Sequence, residues 1–131
     1  MAAGDNTAQR GLNAAVAYID RRMSEKIRLR DLSFAAGVSN RTLGYLFLRT
    51  YGMTPMAFVK EKRLTRARRL LQQADPATTT VASIARRCGF THMGQFSQDY
   101  KRIIGESPSA TLSRAAHQHP RTSEPDPDRS Y

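Results

Sequence analysis

Apolar residues recur along this chain at the three-and-four spacing of amphipathic helices, and few alternating β-branched runs compete with them. Leu12, Val16, Ile19 and Met23 mark a first helix. A second, short helix is predicted near residues 30–36 and a third after Ser39. Thr54-Pro55 opens a fourth, reaching about Gln73, because the missing proline N–H would be unpaired in a first turn anyway. Thr80 is a good N-cap for a fifth, and a sixth runs to about Ile104. The fold class expected is all-α.

The helices form a duplicated pattern. Leu32, Ala36, Gly37 and Val38 correspond to Ile84, Cys88, Gly89 and Phe90, each 52 residues later. Leu43, Phe47, Gly52, Thr54 and Pro55 correspond to Phe96, Tyr100, Gly105, Ser107 and Pro108, each 53 later, as if one residue entered the second turn. Each copy reads as a short helix, a glycine turn, a longer helix and a Gly-x-(Thr/Ser)-Pro exit. A short turn with glycine between two helices is the helix-turn-helix arrangement, since glycine takes the left-handed conformation that the bend needs. Two helix-turn-helix subdomains joined by a long connecting helix, a homeodomain-like bundle pair, are therefore expected.

The longer helix of each copy has two distinct sides. After Ser39, Leu43, Leu46 and Phe47 share a core face, whereas Arg41, Gly44 and Tyr45 lie opposite, followed by Leu48 and Arg49. In the second copy Phe96, Tyr100 and Ile103 form the core stripe. Gly94, Ser97, Gln98 and Lys101 lie opposite, with Thr91, His92 and Met93 at the entrance. Arg41 has the fork geometry to bond guanine bidentately, Gln98 can pair with adenine, and Met93 offers apolar contact to a thymine methyl. Lys101, Arg49 and Thr80 are candidates for phosphate. The connecting helix carries Lys60, Lys62, Arg63, Arg66, Arg68 and Arg69 against Glu61 alone. At about 28 Å it approaches the roughly 34 Å between successive major grooves on one side of B-DNA. Arg63 falls inside its apolar sector and reads as an internal cation.

Charge strengthens this reading. The 131 residues carry 21 Lys and Arg against 11 Asp and Glu, a formal net charge of +10, and the segment from Ser113 onward is neutral. A compact basic domain marks an anionic partner, nucleic acid or membrane. No run of 18 apolar residues exists to span a bilayer, the N-terminus lacks the apolar core of a secretory signal, and the lone Cys88 rules out an internal disulfide. A cytoplasmic protein is expected. The tail, with Pro120, Pro125 and Pro127, has the composition of disorder, so the plan is 1–11 a flexible N-terminus, 12–112 the bipartite domain and 113–131 a disordered tail.

Other function classes fit less well. Cys88 and His92 are close in sequence, but Cys88 matches Ala36 and belongs on the core side, and no paired carboxylates, phosphate-binding loop or metal-ligand spacing accompany them. His117 and His119 form at most a weak metal pair in the tail. No enzyme, cofactor or metal site is expected. The alternative is a basic interaction module or an RNA binder without operator specificity. Single-stranded RNA readers expose aromatic platforms, whereas Phe47, Phe58, Phe90 and Phe96 all read as core. A membrane-surface helix is the remaining rival, and the apolar side of Pro55–Gln73 is better explained as the bridge between the two units.

The run Ile84-Ala85-x2-Cys88-Gly89-Phe90-x5-Phe96-x3-Tyr100-Lys101-x3-Gly105-x2-Pro108 resembles the signature of the AraC/XylS family of bacterial regulators. The likeness covers about Leu12 to Leu112 and includes Phe58, Arg63-Leu64, Ala67 and Leu70-Leu71 in the connecting helix. It implies a bipartite domain that binds double-stranded DNA as a monomer unless an effector domain is missing, with one helix of each unit in adjacent major-groove segments. RNA polymerase is carried as a further candidate partner. Family contact positions fall on Arg41, Gly44 and Tyr45, then on Met93, Gly94, Ser97 and Gln98. The first unit departs from the pattern at three places: Gly44 offers no side chain, Leu48 is apolar on an outward face, and Arg28, not a capping residue, stands where the second copy has Thr80. Members commonly carry an effector or dimerisation domain ahead of this one. Only about eleven residues precede Leu12 here, as in a stand-alone short regulator, a truncated product or an excised domain.

Overall fold

A computed structural model describes the backbone of residues 2–118 and the side chains of residues 7–116. Among the described residues it has no strand and seven helices: α1 (Ala2–Arg21), α2 (Leu29–Ala36), α3 (Asn40–Tyr51), α4 (Pro55–Gln73), α5 (Val81–Arg87), α6 (Met93–Ile104) and α7 (Pro108–Gln118). The chain divides into two compact units, Met1–Lys62 and Arg63–Tyr131, and the division falls inside α4.

In the first unit Leu12, Ala15, Ile19, Leu32, Leu43, Phe47 and Val59 are buried together, with Ala8 and Val16 packed against them. The rings of Phe47, Tyr51 and Phe58 meet pairwise at 4.6–5.3 Å between centroids. Lys62 reaches back from α4 to Asp20 at the end of α1, 3.1 Å away. The second unit repeats this plan: Leu64, Ala67, Leu71, Ile84, Ala85, Cys88, Phe96 and Tyr100 are buried together. Tyr100 stands at the repeat position of Phe47, and both are fully buried. Truncating an aromatic side chain at such a position typically costs about 3–5 kcal/mol, transfer and cavity combined.

Helix ends follow backbone chemistry. Ser39 and Thr80 cap α3 and α5 by accepting the N–H groups of Thr42 and Ser83, each at 3.1 Å. Thr54 and Ser107 do the same for α4 and α7, accepting from Ala57 and Ala110 at 3.2 and 3.1 Å. Arg28 offers no acceptor. In its place the Asp31 carboxylate takes the Arg28 N–H at 2.9 Å, so α2 is closed from inside the helix. The duplicated glycines Gly37, Gly52, Gly89 and Gly105 all have positive φ, between 73° and 99°, which fixes the bends and exits.

Two boundaries differ from expectation. The first helix begins at Ala2, so residues 2–11, expected as a flexible terminus, are helical. Alanine carries little hydrophobic signal but is the best helix former, and Ala8 extends the inward stripe one turn ahead of Leu12. At the other end α7 continues past the expected limit at Leu112 to Gln118 and buries Ala115. Ser107-Pro108 opens it as Thr54-Pro55 opens α4. The expected tail from 119 onward, His119 included, lies outside the described residues, as does the side chain of His117.

Candidate nucleic-acid interface

In the first unit α2 packs behind α3, and the Ser33 hydroxyl donates to Asn40 Oδ1 at the first residue of α3. With Ser39 capping its N-terminus and Leu43, Leu46 and Phe47 buried, α3 is fixed along one side. Its other side presents Arg41, Gly44, Tyr45 and Leu48 at the i, i+3, i+4, i+7 spacing of a single stripe. Arg41 is exposed, as is Arg49 beyond it, and Tyr45 and Leu48 are 62% and 54% exposed. A Cβ added to Gly44 would meet nothing within 4 Å.

The second unit offers the same frame with different chemistry. Phe96 and Tyr100 anchor α6, while Gly94, Ser97, Gln98 and Lys101 are exposed on its outer side. Met93, the first residue of α6, is half-buried and packs against the second core. Thr80 is exposed, and its hydroxyl oxygen is engaged in capping α5. Arg86 and Arg87 are exposed in the last turn of α5, and Lys101 and Arg102 in that of α6.

Sequence patterning missed the support under α6. Asp99 is 4% exposed and accepts from Gln95 Nε2 at 3.1 Å and from Arg102 Nη2 at 3.0 Å, one partner a turn before it and one a turn after. The i, i+4 and i, i+3 spacings of Gln95, Asp99 and Arg102 are the signal that identifies such a group. A second network ties α6 to α7. Tyr100 donates to Thr111 Oγ1 at 2.8 Å, Thr111 donates to Glu106, and Arg114 holds the same carboxylate. The bonds from Arg114 and then Thr111 keep the Glu106 carboxyl below the usual carboxylate range.

Two ionisable groups are drawn toward the interior of the second unit. Burial pushes the Cys88 thiol above its ordinary value, outweighing the pull of Arg66, Arg87, Arg63 and Arg69. Arg63 is half-buried, and burial lowers its pKa. Phe90 and Phe96 meet as a tilted pair, 4.7 Å between centroids, inside the second unit, so neither is a free platform. Among the described residues no His, Cys, Asp and Glu gather as a metal site, and no helix is long and apolar enough to cross a membrane.

The family of helix-turn-helix domains matches residues 32–114 of the chain. Over 98 residues the chain is 39% identical to a probable thc operon regulatory protein of Rhodococcus erythropolis, covering 75% of this chain and 30% of that protein. It is 32% identical over 98 residues to the XylDLEGF operon transcriptional activator 2 of Pseudomonas putida, covering 75% and 62%. The chain thus spans less than two thirds of the length of these curated relatives. Among solved structures, a transcriptional regulator with an AraC-type DNA-binding domain from Chromobacterium violaceum superposes with a TM-score of 0.75 at 31% identity, over 82% of this chain and 94% of that one.

Proposed function

The chain belongs to the AraC/XylS family of helix-turn-helix regulators, and on that footing we propose that it binds double-stranded DNA sequence-specifically and regulates transcription. The observation that carries this reading is the pair of outward stripes on α3 and α6. Each is fixed from behind by a buried aromatic, Phe47 or Tyr100, and each stands in a strongly basic chain. Each of the two helices enters its own major-groove segment, the two segments adjacent. Arg41 and Gln98 supply paired bonds to base edges, while Gly44, Tyr45, Met93, Gly94 and Ser97 form the remaining contact surface. Arg49, Lys101 and Thr80 meet phosphates, which fixes register without carrying sequence information.

The protein acts in the cytoplasm, as one monomer per site, by binding and not by catalysis. A relative named as an operon activator makes RNA polymerase the partner to test next. Selection of binding duplexes from a random pool, followed by salt titration of the selected duplex against RNA and anionic vesicles, tests the reading. A selected sequence is expected to bind more tightly than random duplex by about a thousandfold or more. Equal affinity for RNA or vesicles would favour the basic interaction module. Footprinting that showed a single protected groove per monomer, or an obligatory dimer on a palindrome, would contradict the two-groove arrangement.

A further inference from the structure

The two stripes offer different chemistry at matched positions. The 53-residue offset pairs Arg41 with Gly94, Gly44 with Ser97, Tyr45 with Gln98 and Leu48 with Lys101. The second unit therefore presents an amide and an ammonium where the first presents a phenol ring and an isobutyl group, all four exposed. Leu48 and Tyr45 are one turn apart on α3, and water gains nothing from an apolar pair held at its surface. Packing within the unit does not account for them, since Leu43, Leu46 and Phe47 already fill the core side.

Gly44 completes the picture. A glycine inside an exposed helix costs about 1 kcal/mol relative to alanine. Nothing in the fold requires it, because an added Cβ would stand in open space. Its absent side chain lets an external surface come close to the α3 backbone beside Tyr45 and Leu48. The one apolar group on the floor of the major groove is the thymine C5 methyl, which adenine, guanine and cytosine lack.

We propose that the first unit reads thymine methyl groups through Tyr45 and Leu48, so that its half of the binding site is thymine-rich, while the second unit reads polar base edges through Gln98. This rests on the DNA-binding reading given above.

The test replaces single thymines by deoxyuridine, which removes only the methyl, in each half of a duplex selected with the whole chain. The half under the first unit is assigned by cleavage from an iron chelate on a Thr50→Cys protein, Thr50 being exposed and the native Cys88 buried. Removing a methyl under the first unit is expected to weaken binding about fourfold, the effect of returning roughly one methylene to water. The same replacement under the second unit changes binding less than twofold, because Met93, the apolar side chain on that side, is half-buried against the second core and has less surface to offer a methyl. Leu48→Ala or Tyr45→Ala abolishes the methyl effect at its own position, and Leu48→Lys exchanges it for a steeper dependence on salt. A selected duplex that tolerates methyl removal under the first unit, or whose methyl effects survive both alanine variants, overturns this proposal alone. A selection that enriches no sequence overturns the DNA-binding reading and this one with it.

Discussion

Gly11 in α1 lies directly against Ala36 at the end of α2: a Cβ on Gly11 would stand 3.0 Å from the Ala36 carbonyl oxygen. That oxygen has little room to retreat, because Gly37 and Val38 are bonded back to Phe34 and Ser33 in the turn that follows. The close approach brings two helices together where the reading helix is launched. It also sets up a contrast with Gly44, another helical glycine, which faces open space.

The same substitution at these two glycines is expected to act with opposite sign. Gly11→Ala gains helix propensity but presses on a fixed carbonyl, for a net loss of about 1 kcal/mol. Gly44→Ala meets no such obstacle and raises stability by about 0.5–1 kcal/mol. Urea unfolding midpoints of the two variants measure both. Gly44→Ala is also expected to bind a selected duplex more weakly than the parent, a gain in stability at the expense of function. Stabilisation by both substitutions would show that the α1–α2 approach is soft.

The two short helices should lose their caps at different residues. Thr80→Ala removes the acceptor for Ser83 N–H and is expected to cost about 1 kcal/mol. In the first unit it is Asp31→Ala that costs a similar amount, whereas Arg28→Ala, at the aligned position, leaves stability within about 0.5 kcal/mol. Thermal unfolding of the three variants decides it, and a large effect at Arg28 with none at Asp31 would contradict the assignment.

Acid should loosen α7 through Glu106. Its folded pKa is depressed, so its contribution to stability is complete above the unfolded value of about 4.3 and is lost as pH falls through the lower, folded value. The parent is therefore expected to lose more stability than Glu106→Gln on acidification below about pH 4. Melting temperatures of both proteins from pH 6 downward supply the comparison. Because Arg114 is half exposed, the difference should shrink as salt is added.

Residues that specify should be separable from residues that hold. Gln98→Ala is expected to relax preference at one base position, with a loss of about 1–3 kcal/mol there. Lys101→Ala should weaken every sequence alike and lower the salt slope by about one unit. Binding of both variants to single-base changes of a selected duplex, at several salt concentrations, distinguishes them. Unchanged preferences in the Gln98 variant, or altered ones in the Lys101 variant, would reverse the roles.

Much of this was legible in the chain because the duplication aligns glycines whose backbone demand is strict, and because Phe47 and Tyr100 set the periodicity of the two long helices. What escaped has physical causes. Ala8 packs inward with too little apolar surface to register as part of a stripe, so α1 read as starting at Leu12. Asp99 is a carboxylate at a buried position, where a pattern of apolar residues is blind, and only the spacing of Gln95 and Arg102 around it signals its partners. Met93 reads outward on a helical wheel, but as the first residue of α6 it is half-buried, with part of its side chain packed against the second core and part left outside. The α7 helix was foreshadowed by Ser107-Pro108 and hidden by the polar composition that follows.

The closure of α2 by Asp31, opposite the closure of α5 by Thr80, has a consequence for how such a repeated protein diverges. A backbone N–H at a helix start can be satisfied from either end of the first turn, so Arg28 and Thr80 can differ while the geometry is the same. A left-handed position leaves far less choice, since any residue with a Cβ is strained there. The two halves of this chain therefore differ at the starts of their short helices and agree in their bends, where Gly37 matches Gly89 and Gly52 matches Gly105.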